Sequence, residues 1–365
     1  MHAPSPADSP AGAPAWHTRL VRADTTSGWT GRQWTSGALE ARLPLGTCPD
    51  EAIASWNLEP GIPARIEIRA RAVDGDWHPW QELAWWGPPG DRRSPASPDP
   101  ADHATHEPIV DTDILTTRAG GRWDGVQLRI TLAGDATASA HPLRLAAVSF
   151  SAPGAAPDPA EDGEGTNTAV AVQPLSQRAY PARDDLGGGG PSWCSPTALT
   201  MVASTLGARI PDAASADVPD GADARVPWVA RAVYDSSFDG TGNWSFNAAV
   251  AGELGLDAVV TRLSSLHDAA VLTGSGIPLI ASISFGAGEL PGADYATAGH
   301  LLVIRGFDRR GDVLAADPAN PGGAAGLRTY PRAAFDMAWS HSRRTVYLIT
   351  PHGHRLPPPS ATAAW

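Results

Sequence analysis

The amino-acid sequence predicts an α+β protein in which an antiparallel β-sandwich or jelly roll is followed by a domain that mixes helices and strands. Apolar and polar residues alternate with period two in segments such as RIEIRARAV, residues 65–73, and VQLRITL, residues 126–132. Clusters of Gly, Pro and Asp separate these segments, a pattern typical of short antiparallel strands. Helical periodicity enters only in the second half of the chain.

Changes in composition place the domain boundaries. The chain has 365 residues, a length that favours two domains over one. A segment rich in Pro, Gly and acidic residues separates the two patterns, so we expect residues 170–350 to fold without the first domain. The predicted segments are a disordered tail (1–15), a β-sandwich (16–151), a linker (152–168), a mixed α and β domain (169–352) and a Pro-rich tail (353–365).

Charge and hydropathy exclude several classes of function. The net charge is −12, and all 27 basic residues are arginine. This balance argues against binding to nucleic acid or to an anionic membrane surface. No apolar run has the length of a membrane span. The first residues lack the basic and apolar regions of a signal peptide, which predicts a cytoplasmic protein, or an extracellular one if translation starts upstream.

Four tryptophans lie within ten positions, at Trp77, Trp80, Trp85 and Trp86. They have two interpretations: a platform on which sugars stack, or part of the sandwich core. Large aromatic side chains supply much of the buried area of a core. We therefore expect most of the four to be core residues.

The segment GGGGPSWCSPTALTMVASTL, residues 187–206, predicts a reactive cysteine at the start of a helix. Apolar residues in its second half have the spacing of an amphipathic helix, and Pro196 suits the first turn. Cys194 therefore lies at or just before the helix N-terminus, where free N–H groups and the helix dipole favour the thiolate. The alternative interpretation is a buried structural cysteine. Cys48, the other cysteine, is expected to be a free thiol of the first domain.

A base and an acid for this nucleophile are predicted from a hairpin further along the chain. His300 begins the strand HLLVIRGF, the turn DRRG reverses the chain, and the returning strand VLAAD ends at Asp317. In such a hairpin His300 and Asp317 fall nearly opposite each other, so the carboxylate can orient the imidazole toward Cys194. His267 and His341 are competing histidines, but no hairpin returns a carboxylate to either.

A thiolate that attacks a carbonyl also needs donors for the oxyanion that forms. One donor is the backbone N–H of Cys194. Gln177 is the expected side-chain donor, with Gln173 as its competitor, and the Gly-rich segment would allow Gln177 to fold back onto the site. No Cys-X-X-Cys or Cys/His cluster indicates zinc, and this chemistry requires no metal or organic cofactor.

Together these motifs resemble the C39-like family of papain-fold cysteine peptidases, in the branch with a sandwich-like N-terminal region. The matching segments are Ser176-Gln177, the Gly-rich segment, GTGNW at residues 240–244 and the hairpin, in that order, over most of residues 172–350. The sequence departs at Ala316, where the family often has Asn. The resemblance implies a papain-like fold and export from the cell. It assigns the catalytic roles to Cys194, His300, Asp317 and Gln177.

The expected activity is hydrolysis of peptide bonds by a Cys-His-Asp thiolate mechanism with an acyl-enzyme intermediate. One alternative is a catalytically silent papain-like scaffold whose sandwich binds cell-wall carbohydrate or protein. A second is an amidase or transglutaminase-like acyl transferase, because one set of residues serves all of these reactions. The expected partners are a peptide or protein substrate and, through the first domain, cell-wall carbohydrate.

Overall fold

The computed structural model describes residues 15–44, 47–98, 107–117, 122–134, 142–154, 167–359 and 365. Nearly all of the predicted N-terminal tail and most of the predicted linker lie outside these residues. The described sandwich strands end at Pro153, two residues beyond the predicted boundary, and the next strand begins at Thr168.

The first domain is a sandwich of two antiparallel sheets, as the alternating segments predicted. One sheet has the strand order β1-β11-β5-β9-β8, and the other has the order β2-β3-β10-β6-β7 with β4 paired to β10. The strands are β1 (Trp16–Arg22), β2 (Trp29–Thr30), β3 (Gln33–Thr35), β4 (Leu39–Glu40), β5 (Glu51–Leu58), β6 (Ala64–Ala72), β7 (Gln81–Trp86), β8 (Ile109–Asp111), β9 (Ile114–Thr116), β10 (Trp123–Leu132) and β11 (Leu143–Pro153).

The second domain packs helices on an antiparallel sheet with the order β13-β18-β14-β15-β16-β17, to which β12 adds through β15. The α+β class is therefore confirmed. None of the helices in the described ranges combines the length and the apolar character needed to cross a membrane. The elements are β12 (Thr168–Ala169), α1 (Cys194–Thr205), α2 (Arg225–Val233), α3 (Trp244–Glu253), β13 (Leu256–Arg262), α4 (Leu266–Gly274), β14 (Leu279–Phe285), β15 (Thr297–Phe307), β16 (Val313–Ala316), β17 (Leu327–Tyr330), α5 (Arg332–Ser340) and β18 (Thr345–Pro351).

Most of the four tryptophans at positions 77–86 are not core residues, which corrects the prediction. Trp86 is buried, but Trp77, Trp80 and Trp85 are only partly buried. These three contact arginine side chains, with the guanidinium carbon of Arg69 4.7 Å from the ring centroid of Trp77 and 4.5 Å from that of Trp80. Burial patterns along β6 show why: its apolar residues face the core and its charged residues face outward.

The two domains share one hydrophobic core. Trp56 and Trp86 of the sandwich meet Phe246 of α3 edge to face, with ring centroids between 5.4 and 6.2 Å apart. Arg92 is buried beside them and donates to Glu253 at 2.8 Å. The sandwich therefore packs on the second domain through apolar and paired polar groups rather than lying apart from it.

Strand β13 lies at the edge of the second-domain sheet, and side chains of β5 bind its free backbone groups. Asn57 donates to the carbonyl of Ala258 at 3.0 Å and accepts from its N–H at 2.9 Å. Ser55 accepts from the N–H of Val260 at 2.8 Å. Because an uncovered edge strand offers unpaired groups to other chains, the first domain protects this sheet edge.

Candidate active site

Cys194 is the first residue of α1 and faces a cleft. The helix was expected to bury one face, but every residue from Ser195 to Ala203 is buried. One side of α1 packs on β15, and α2 covers another. Ser195 is within 2.9 Å of the hydroxyl of Tyr347, which anchors the helix start in the core. The backbone that carries Cys194 is therefore firmly held.

His300 and Asp317 meet across the hairpin of β15 and β16. Ala316 pairs with Val303 in this antiparallel pair, so Asp317 lies beside Leu302, which is two positions after His300 and on the same face of β15. His300 Nε2 is 2.8 Å from Asp317 Oδ1. The other ring nitrogen, Nδ1, is left to interact with the Cys194 thiol, which faces the same cleft.

Two tyrosines that sequence analysis did not identify also bind the Asp317 carboxylate. Tyr295 and Tyr330 donate to Oδ2 at 2.8 and 2.6 Å, and the N–H of Ala319 donates to Oδ1 at 2.8 Å. The ring of Tyr295 also packs edge-on against that of His300, with centroids 5.3 Å apart. The carboxylate is fully buried, and these donors fix its position and its charge.

The electrostatics of the three groups favour a thiolate and an imidazolium. Burial raises the pKa of the Cys194 thiol, but the hydrogen bond with His300 and the charge of His300 outweigh burial and lower it. Burial lowers the pKa of His300, but hydrogen bonds and charges from Asp317 and Cys194 raise it to about 10. Burial raises the pKa of Asp317, but His300 and the other donors lower it to about 2. These directions favour an ion pair with the proton on the imidazole.

Gln177 lies in the wall of the same cleft, whereas Gln173 is exposed elsewhere. The side-chain Nε2 of Gln177 donates to the carbonyl of Pro191 at 2.9 Å. The backbone N–H of Gln177 donates to the carbonyl of Pro318, also at 2.9 Å. Gln177 thus connects the segment before Cys194 with the segment after Asp317.

The Gly-rich segment makes this approach of Gln177 feasible. A Cβ at Gly190 would lie 2.1 Å from the carbonyl oxygen of Tyr180 and 2.6 Å from that of Gln177. Gly189 has a φ of +72°, and a Cβ there would collide with the backbone of Pro181. Only glycine lets the chain pass this closely, so these residues set the distance between Gln177 and the nucleophile.

The cleft has a volume of about 1030 Å³, and several elements supply its walls. His341 lines it and donates from Nδ1 to the carbonyl of Ser284 at 2.7 Å, while His267 lies on α4 outside it. Trp244 forms part of the wall at the start of α3, where Asp113 of the first domain accepts from its N–H at 2.7 Å. The first domain therefore helps to place a wall of the cleft.

Comparison with known families agrees with the two-domain organisation. Residues 170–347 match the Peptidase_C39 like family, and residues 9–152 match the Peptidase C39 N-terminal domain. The two matches together cover most of the chain. No curated protein and no solved structure matches it.

Proposed function

Because residues 170–347 belong to the Peptidase_C39 like family, we propose that this protein is a cysteine peptidase with Cys194 as its nucleophile. The observation that carries the proposal is the arrangement of three groups: Cys194 at a helix start, His300 in the same cleft, and Asp317 Oδ1 2.8 Å from the Nε2 of the imidazole. This is the nucleophile, base and orienting acid that acyl transfer requires.

In the proposed mechanism the thiolate of Cys194 attacks the carbonyl carbon of the scissile peptide bond. The backbone N–H of Cys194 and the side-chain amide of Gln177 stabilise the oxyanion. His300 then protonates the leaving amine, which departs and leaves a thioester on Cys194. His300 next removes a proton from water, which attacks the thioester and releases the acid product. Asp317 holds the imidazole in the tautomer and orientation that both steps need.

A thiol-directed covalent probe tests this proposal. Iodoacetamide should label Cys194 much faster than Cys48, and His300→Ala should remove the difference. The Cys194→Ala chain should cleave no peptide from a fluorogenic library that the wild-type chain cleaves. Equal labelling of both cysteines, or cleavage by Cys194→Ala, would contradict the assignment.

Transfer of the acyl group to an amine instead of water would use the same three groups. The two outcomes differ only in the second nucleophile, so product analysis separates them. We expect free carboxylate as the product when a cleaved peptide is incubated with excess glycine amide. A glycine amide adduct as the main product would instead assign an acyl transferase.

A second candidate function concerns the first domain, for which we propose binding to cell-wall carbohydrate. Its outer sheet face carries a groove of about 400 Å³ with Trp85 in its wall. Arg65 pairs across strands with Trp85, and Arg129 pairs with Glu67 through two 2.6 Å hydrogen bonds. An indole face can stack on the C–H groups of a sugar ring, while fixed charged groups bind its hydroxyls.

Sedimentation with insoluble peptidoglycan tests the carbohydrate proposal on the full-length Cys194→Ala chain. We expect retention by the pellet and a loss of about tenfold in affinity for Trp85→Ala, since a stacking contact is removed. Val73→Ala serves as the matched control because Val73 does not line the groove. Absence of retention, or retention that is unchanged by Trp85→Ala, would exclude this groove as the binding site.

A further inference from the structure

Phe238 is an exposed aromatic residue in the wall of the cleft that contains Cys194. Its exposed fraction is 51%, and within the described residues the other exposed large hydrophobic side chain is Val73, at 44%. A single apolar side chain on a convex surface needs no explanation. Phe238 differs from Val73 because it lies in the concave cleft that also contains the proposed nucleophile.

A buried carboxylate holds the loop of Phe238 in place. Asp235 is fully buried, and its Oδ1 accepts from the N–H groups of Ser237 at 3.1 Å and Phe238 at 3.3 Å. The same oxygen accepts from the N–H of Ser94 in the first domain at 3.0 Å, and Asn243 donates to Oδ2 at 2.8 Å. Both domains therefore fix the loop, so the ring is presented to the cleft by a rigid support.

Gly240 leaves room for the Phe238 ring within the loop. Asp235 and Gly240 pair as an isolated β-bridge, which closes the loop around Phe238. A Cβ at Gly240 would lie 2.7 Å from the Cδ1 and Cε1 atoms of the Phe238 ring. Any side chain at this position would displace the ring from its place in the cleft wall.

Phe238 also separates the cleft from a second cavity. Phe238, Gly242 and Trp244 line both the cleft and a cavity of about 590 Å³ whose other walls come largely from the first domain. These residues therefore lie at the boundary between the two spaces, and a peptide that extends from Cys194 toward the first domain would pass them.

We propose that Phe238 determines specificity by binding a bulky apolar side chain of the peptide substrate, such as Leu, Met or Phe. This inference rests on the proposed peptidase function. An aromatic ring in a concave site gains from covering apolar area. Because the loop is already fixed, little conformational entropy is lost when the substrate binds.

The test uses the full-length chain and internally quenched peptides. A wild-type screen first identifies a cleaved peptide with Leu at a position where Leu→Gly in the peptide lowers kcat/KM. Phe238→Ala should lower the Leu-over-Gly preference at that position by about tenfold or more, as expected for an apolar contact in a pocket. Phe238→Leu should lose less, and Val73→Ala should keep the wild-type preference.

The outcomes distinguish this inference from the proposed function. An unchanged preference in Phe238→Ala with turnover intact would overturn the role of Phe238 and leave the peptidase assignment standing. An equal loss in Val73→Ala would also overturn it. A wild-type chain that cleaves no peptide in the library would overturn the peptidase proposal and, with it, this inference.

Discussion

Tyr330 donates a 2.6 Å hydrogen bond to Oδ2 of Asp317, on the carboxylate whose other oxygen holds His300. Both residues are fully buried. With Tyr295 on the same oxygen, the carboxylate has hydrogen-bond partners on both oxygens. Such a carboxylate stays ionised, and it can stabilise an imidazolium without taking its proton.

Tyr330→Phe should lower stability and also alter the titration of the site. The change removes one buried hydrogen bond from Asp317, which costs about 1 kcal/mol in the free energy of unfolding. With one donor fewer, the negative charge of Asp317 interacts more strongly with the imidazolium of His300. We therefore expect the basic limb of the pH dependence of kcat/KM to move to higher pH. Tyr180→Phe is the matched control, because its hydroxyl donates to the carbonyl of Asp223 at 2.7 Å. A similar fall in melting temperature for both variants with no change in either pH profile would contradict a role in positioning.

Asp317→Asn should lower kcat while retaining most of the fold. An amide oxygen can still accept from the imidazole, but it carries no charge to stabilise the imidazolium. We expect kcat to fall by about ten- to a thousandfold for Asp317→Ala, less for Asp317→Asn, and most for His300→Ala. Asp317→Ala should also lower the melting temperature, because Tyr295 and Tyr330 lose a buried acceptor. Normal kcat per folded molecule in Asp317→Ala would make the acid purely structural.

Alkylation of Cys194 should depend only weakly on pH between 6 and 8. The pKa of Cys194 is lowered by His300, and that of His300 is raised to about 10, so we expect the thiolate and the imidazolium to persist together across this interval. A thiol with an ordinary pKa of about 8.5 loses most of its reactivity when the pH is lowered from 8 to 6, because its thiolate is protonated. The measurement is the iodoacetamide rate at Cys194 against free cysteine, with His300→Ala as control. Parallel pH profiles for Cys194 and free cysteine would rule out the ion pair.

Asn57→Ala should destabilise the whole chain although Asn57 lies outside the second domain. The N–H and carbonyl of Ala258 would both lose their partner at a buried edge strand. We expect a loss of about 2 kcal/mol or more in the free energy of unfolding. Gln33→Ala, on the outer face of the sandwich, is the control. Equal denaturant midpoints for the two variants would show that water replaces Asn57 at the edge.

The interface between the sandwich and the second domain alters the expectation that residues 170–350 fold alone. Without the first domain, Phe246 would lose its two tryptophan neighbours and β13 would lose its cover. We therefore expect a chain that begins at residue 169 to aggregate, and the separate sandwich to improve its solubility when the two are expressed together. A soluble truncated chain with a cooperative melt would support the original expectation.

Local pattern was sufficient for much of the fold and for the arrangement of the proposed site. The alternation in β6 and β10 predicted the sandwich, and the DRRG turn predicted the hairpin that brings Asp317 to His300. Cys194 begins a helix, as the residues around it indicated. These features depend on neighbours within a few positions along the chain, where spacing and turn chemistry decide the geometry.

Tertiary structure alone decided the surroundings of that site. Tyr295 and Tyr330 reach Asp317 from a loop and from β17, 22 and 13 residues away along the chain, and no local pattern marks them. Ser55 and Asn57 are polar yet fully buried, because their partners lie on β13, some 200 positions further on. Sequence periodicity shows which side of a strand is apolar. The surface that covers the apolar side is determined by packing between distant segments, which the pattern along one segment does not indicate.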